Sequence, residues 1–214
     1  MPVPAPLKIY HIVHIDNLAS IVADGCLFSD AVMVRRGGPP TTIGMQNIKS
    51  ARLTMPVRCH RGTFVGEYVP FNFCPRSVML NLIWYGNHPN LSYRGGQQPI
   101  VHLEADFDRT VKWAEAQGIR WAFTLANARA TYAEFRARLD QLDEINWNAV
   151  AATDFRPADV KEAKQAEFLI QDSFPWHLVE RIGVHSQAFA PKVASAMHGA
   201  AHRPAVEIKR DWYY

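Results

Sequence analysis

At 214 residues and 48% hydrophobic content, the chain is long enough to bury one sizeable core and short for two, so one domain spanning residues 1–214 is expected. No apolar run reaches the roughly 18 residues needed to span a bilayer, and the opening MPVPAPLKIYH lacks the basic-then-apolar order of a secretory signal. Both observations argue against a membrane protein and for the cytoplasm. A net charge of +3 permits a polyanionic ligand but falls far short of a dedicated basic DNA-binding arm.

In chain order, residues 9–13 read as a short apolar strand, followed by an amphipathic helix that opens at Asp16 and stops at Gly25. From 27 to about 66 the periodicity fades around RRGGPP at 35–40, predicting a long loop region of the kind that usually carries function. YVPFNF at 68–73 is an aromatic strand, and Pro75 begins a helical stretch that ends before Gly86. After a polar loop at 86–98 come a strand at 99–103, a helix at 107–116 and a strand at 121–125, a local strand, helix, strand unit. Tyr132, Phe135, Leu139 and Leu142 share helical spacing and predict a helix over 132–142. Three strands follow at 167–171, 181–185 and 206–209, with a helix at 191–198 between the last two. Strands and helices mix without strict alternation, so the expected class is α+β with a largely antiparallel or mixed sheet.

Cys26, Cys59 and Cys74 are odd in number and too widely spaced for a zinc or redox motif, and free, mostly buried thiols are expected. The histidines at 60, 88, 102, 177, 185, 198 and 202 show no metal-ligand spacing, and no metal is expected.

Three segments bear chemistry. In YHIVHIDN, His11 and Asn17 stand where a strand gives way to a helix whose first N–H groups face a polar or anionic ligand; a buried core histidine is the plainer reading of His11. In YVPFNFCPRS, the aromatics suit a core, while the Arg76 guanidinium beside them suits a buried carboxylate or a phosphate. In KEAKQAEFLI, Glu167 heads a core strand, where a carboxylate is held rigidly and partly desolvated, as an electrostatic catalyst must be. Arg52 lies in the irregular region, where a lone arginine is ordinarily solvated.

Taken in order, YHIVHIDNL, YVPFNFCPRSVML, YRGGQQPIVHL, WAFTL, KQAEFLI and RDWYY resemble the DarT family of DNA ADP-ribosyltransferase toxins, in its thymidine-modifying branch, across nearly the whole chain. The resemblance implies an ADP-ribosyltransferase-like fold: a split, mixed β-sheet core with NAD in the cleft, surrounding helices and long functional loops. It implies NAD as the substrate that supplies ADP-ribose, and a thymine base of single-stranded DNA as acceptor. Glu167 then matches the catalytic glutamate, and Arg52 an arginine near the reacting base. His11, Val13, Asn17, Arg52, Tyr68 and Phe71 are expected along the NAD cleft. Met79, Arg94, Asn127 and the loop residues Arg156, Lys161 and Lys164 are expected to contact DNA, with packing an open alternative for Met79 and Arg94. Two positions depart from the pattern: Val13 stands where the family often has a hydroxyl residue, and Asn127 where a histidine is common.

Cleaving the nicotinamide bond gives the ribose oxocarbenium character, which a carboxylate such as Glu167 stabilises. A thymine ring nitrogen must lose a proton to attack; Arg52 would favour the deprotonated ring, with Glu167 as the alternative proton acceptor. An unpaired base is needed, hence single-stranded DNA. The family pattern also implies a DarG-type macrodomain antitoxin as partner. The alternatives are a transferase of the same fold acting on guanine or protein, and a non-catalytic module that only binds NAD or DNA.

Overall fold

A computed structural model describes residues 1–128, 130 and 132–214. In chain order the elements are β1 (Lys8–His14), α1 (Leu18–Asp24), β2 (Cys26–Phe28), α2 (Asp30–Arg35), α3 (Gln46–Arg52), β3 (Tyr68–Asn72), α4 (Val78–Tyr85), β4 (Ile100–Asp106), α5 (Phe107–Ala116), β5 (Trp121–Asn127), β6 (Phe135–Arg136), α6 (Trp147–Ala151), α7 (Ala158–Ala163), β7 (Ala166–Gln171), β8 (Ser173–Pro175), β9 (Val179–Val184), α8 (Ala190–Ala196) and β10 (Ala205–Ile208). Among the described residues, eight strands form one sheet in the order β10-β9-β4-β1-β3-β7-β5-β6, antiparallel except for the parallel β9–β10 pair; β2 and β8 form a second, two-stranded sheet. The mixed, mainly antiparallel α+β class expected from the sequence is the one observed.

The split sits between β1 and β3, which share a single register pair, Tyr10 with Asn72. Pro70 explains why the strands part there. A strand residue points its N–H and C=O to the same side, and proline has no N–H to donate. The Pro70 carbonyl instead accepts from the His11 ring nitrogen Nδ1 at 2.8 Å, a side-chain bond where a ladder bond would stand. Beside this opening lies the main core, in which Ile9, Phe71, Leu103, Phe107 and Phe168 are essentially solvent-free.

Local signals explain the helix ends. Gly25 closes α1 in the left-handed conformation (φ 69°) that favours glycine. The Ser29, Ser77 and Asp106 side chains each accept a backbone N–H at the start of α2, α4 and α5.

Several expectations need correction. The region from 27 to 66 is not one loop: it holds β2, α2, α3 and a 3₁₀ turn at Val65–Glu67. Its helices escaped the pattern because α2 buries no residue and α3 buries only Arg52, so neither carries an apolar stripe. No helix spans 132–142. Phe135 pairs with Thr124 at the sheet edge, a 3₁₀ segment covers Leu139–Glu144, and Tyr132 and Leu139 are exposed while Phe135 and Leu142 are buried. The strand, helix, strand unit of β4, α5 and β5 is local in sequence only, since β1, β3 and β7 separate the two strands. Of the free cysteines Cys74 is buried, Cys26 half-buried and Cys59 exposed. Among the described residues, no helix is long and apolar enough to cross a membrane.

Candidate active site

The split opens into a cleft of about 440 Å³. Its floor is β1, β3 and the start of β7; α2, the 36–45 segment, α3 and the first turns of α4 wall it. His11, Val13, Asn17, Arg52, Phe71, Met79, Asn127 and Glu167, all expected site residues, line it together.

Glu167 and Asn72 are register partners on β7 and β3, so their side chains emerge on the same face, into the cleft. The β5–β7 register shifts between Phe123 and Asn127, and the Thr124 hydroxyl accepts the Glu167 N–H at 2.9 Å. That hydroxyl fixes the backbone of the glutamate where the ladder is interrupted. Opposite, Arg52 at the end of α3 gives two parallel hydrogen bonds to the Glu167 carboxylate, Nη1 to Oε1 and Nη2 to Oε2, each 3.0 Å. Their side chains are 9% and 14% exposed, which makes the pair largely desolvated and its field strong. Burial alone would lower the Arg52 pKa; the Glu167 charge and hydrogen bonds outweigh it, and the guanidinium is held above its ordinary value.

His11 is neutral. Burial lowers its pKa, only partly offset by the bond to Pro70. Because a carbonyl oxygen only accepts, Nδ1 carries the proton and Nε2 keeps a lone pair. Asn17 borders the cleft and its amide is tied to Thr41: Nδ2 donates to the Thr41 carbonyl at 2.7 Å and Oδ1 accepts the Thr41 N–H at 2.9 Å. Asn17 therefore holds the 36–45 wall against β1. Asn127 donates to Gln165 Oε1 at 3.0 Å, tying β5 to the segment entering β7.

Other expected residues lie apart from this cleft. Tyr68 is buried in a separate cluster with Val57, Val65 and Leu169, its hydroxyl 3.0 Å from that of Thr63. Tyr68 shares the face of Asn72, four residues on, but stands at the far end of β3, away from the cleft. Arg94 is exposed on the 86–98 loop, and Arg156 is exposed and paired with Asp154. Lys161 is exposed on α7. Lys164 is turned inward, with Nζ donating to the Val150 carbonyl at 2.7 Å.

Sequence reasoning passed over Arg36 and Lys49, which bring cationic groups to the cleft wall and are held by Asp24 (2.6 Å) and Asp30 (3.0 Å). It also passed over Asn72, Thr41 and Gln165. A usable signal was present in RRGGPPTTIG, where small residues and prolines follow two arginines, a composition that lets backbone approach a ligand closely.

The cleft offers an apolar lining, a few convergent polar groups and a desolvated ion pair, as a site for a nucleotide-sized substrate should. A family model described as ssDNA thymidine ADP-ribosyltransferase, DarT, matches residues 10–214. The DNA ADP-ribosyl transferase of Thermus sp. (strain 2.9) is 37% identical over 216 residues, covering 99% of this chain and 98% of that protein. Thermus sp. 2.9 DarT in complex with ADP-ribosylated ssDNA has a TM-score of 0.89 at 36% identity, covering 100% of this chain and 99% of that one. The same protein in complex with NAD+ has a TM-score of 0.82 at 35% identity, with 100% of both chains covered. A shared fold, a match over nearly the full length and a cleft built around Glu167 and Arg52 place this chain in the DarT family of single-stranded-DNA thymidine ADP-ribosyltransferases.

Proposed function

We propose that this protein transfers ADP-ribose from NAD to a thymine base in single-stranded DNA, with Glu167 and Arg52 as its catalytic residues. The observation that carries the reading is the bidentate Arg52–Glu167 pair facing into the cleft.

NAD supplies the electrophile: its nicotinamide–ribose bond breaks, a bond from the ribose carbon to a thymine ring nitrogen forms, and the proton of that nitrogen is released. The cleft suits such a ligand, since Arg36 and Lys49 bring positive charge to one wall and Phe71 and Val13 give apolar surface on the floor. His11 and Asn17 stand on the nicotinamide side, His11 offering an unprotonated Nε2 and Asn17 shaping the wall through Thr41. Glu167 stabilises positive charge developing on the ribose and holds the sugar for attack from the opposite face. Arg52 screens Glu167 and favours the deprotonated base, with Glu167 the alternative proton acceptor. Met79 and Asn127 border the acceptor side, and Arg94, Arg156 and Lys161 offer exposed positive charge to the strand. A DarG-type macrodomain antitoxin and a cytoplasmic location complete the proposal, on the strength of the family resemblance.

The test is incubation with NAD and short oligonucleotides that differ in base content, read by intact mass, alongside Glu167→Ala. One ADP-ribose added to thymine-containing single strands and lost in the variant is the expected result. Modification of guanine-only strands, or of protein alone, would overturn the thymine assignment; an undiminished product in the variant would overturn the role of Glu167.

A further inference from the structure

Beside the catalytic cleft lies a second, smaller pocket of about 220 Å³, lined by Cys74, Arg76, Thr153, Phe155, Lys164 and Tyr214 among others. Its chemistry is unbalanced. Lys164 is 3% exposed and carries its ammonium into the interior, where its hydrogen bonds go to the Val150 carbonyl and, at 3.5 Å, the Cys74 sulfur. Both partners are uncharged donors of lone pairs, and among the described residues Lys164 makes no ion pair. Arg76 faces the same pocket; its Nε is buried without a hydrogen-bond partner among the described residues, and its guanidinium lies 4.4 Å from the centre of the Tyr214 ring. Among the described residues, no Asp or Glu side chain lines the pocket. A buried ammonium next to an unsatisfied guanidinium nitrogen is costly unless an anion joins them.

Aromatic rings extend from the mouth of this pocket. Phe155 packs against Tyr214 at 6.2 Å, Trp84 stacks on Tyr214 at 6.1 Å with 26° between planes, and Tyr85 packs on Trp84 at 4.6 Å. Trp84 is 48% and Tyr85 60% exposed, high values for such large rings. The pocket adjoins the catalytic cleft along the chain: Lys164 precedes Gln165, and Arg76 stands just before Val78 and Met79, and Gln165, Val78 and Met79 line the cleft. Cations that track a backbone, with aromatic faces for stacking, are the recognition chemistry of single-stranded nucleic acid.

We infer that this pocket and ledge bind a nucleotide flanking the modified base, with a backbone phosphate between Arg76 and Lys164 and a neighbouring base stacked on Trp84 or Tyr85. The inference rests on the DNA-modifying reading above and extends it beyond the reacting base. An aromatic ledge alone would serve a protein partner equally well; the buried Lys164 ammonium and the half-buried Arg76 guanidinium, with no carboxylate side chain between them among the described residues, select a phosphodiester.

The experiment compares wild type, Arg76→Gln and Trp84→Ala on thymine-containing oligonucleotides of about three and about twelve nucleotides, a range that brackets common single-strand site sizes. Steady-state kcat and KM are measured for DNA and for NAD, and the affinity for a labelled long oligonucleotide without NAD is followed by anisotropy against salt. Both variants are expected to raise KM for the long strand about tenfold, while kcat, the KM for NAD and the reaction on the short strand stay near wild type. The Arg76→Gln salt slope should fall by about one, and that of Trp84→Ala should not change. A wild-type KM for the long strand in both variants would overturn the inference, as would a raised KM for NAD in place of DNA. If wild type modified no DNA at all, the functional reading would fail, and the anisotropy titration would still decide whether the ledge binds DNA.

Discussion

Arg52 and Glu167, 115 residues apart in the chain, meet through two 3.0 Å hydrogen bonds at the wall of the cleft, each satisfying the charge of the other. Removing one partner of a desolvated pair strands the other. Glu167→Ala is therefore expected to reduce kcat by at least about a hundredfold, the scale of losing a preorganised electrostatic group. It should also cost stability toward the lower end of about 3–5 kcal/mol, because the cleft lets water reach Arg52. Glu167→Gln keeps the shape and one acceptor, and should be as inactive but less destabilised. Product formation by intact mass and urea denaturation of both variants against wild type check this; wild-type stability in Glu167→Ala would show that the ion pair adds nothing to the fold.

Asn17 acts on the cleft through the backbone of Thr41. Asn17→Ala removes two hydrogen bonds worth about 0.5–1.5 kcal/mol each and frees the 36–45 wall. The expected outcome is a KM for NAD raised about tenfold, the kinetic equivalent of about 1.4 kcal/mol, with faster amide exchange at Thr41. Unchanged exchange at Thr41 would argue that another contact holds the wall.

His102 sits on β4, fully buried, with Nε2 donating to the Pro75 carbonyl at 3.0 Å. Burial pushes its pKa down to about 4. The unfolded chain takes up this proton near pH 6.5, before the folded form does. Stability is thus full above that value and lost as pH falls from about 6.5 toward about 4, on the order of 3 kcal/mol in all. Burial lowers the pKa of His11 as well, so it acts in the same direction. His102→Gln should flatten this acid-side loss when denaturation is followed between about pH 7 and about pH 5; an unaltered slope would assign the loss to other groups.

Gly183 on β9 lies directly under the Trp212 ring: a Cβ there would come within 2.4 Å of two ring carbons. The neighbouring Tyr213 hydroxyl donates to the carbonyls of Ile100 (2.7 Å) and Gly183 (3.1 Å), so RDWYY is docked across β4 and β9. Gly183→Ala is expected to cost about 1–3 kcal/mol by overpacking, seen as a lowered Tm. A wild-type Tm would mean that the terminal segment moves aside without cost.

What the sequence determined by itself was local. The apolar runs of β4 and β7 and the stop at Gly25 are consequences of backbone geometry within a few residues, and each was legible in order. The glutamate heading a core strand was legible for the same reason, and the spread of motifs from residue 10 to residue 214 pointed to the family. What only the tertiary structure decided was which distant groups meet. Arg52 looked like a solvated loop residue and became the buried partner of Glu167; Lys164 looked like a surface cation and turned inward; Asn17, at the cleft, also ties Thr41 of the wall to β1. The helices α2 and α3 were hidden because they wall a polar cleft and have no apolar stripe to reveal them. Periodicity records how much apolar surface an element buries, whereas the partner of a polar side chain is set by chain segments that fold against it from far away.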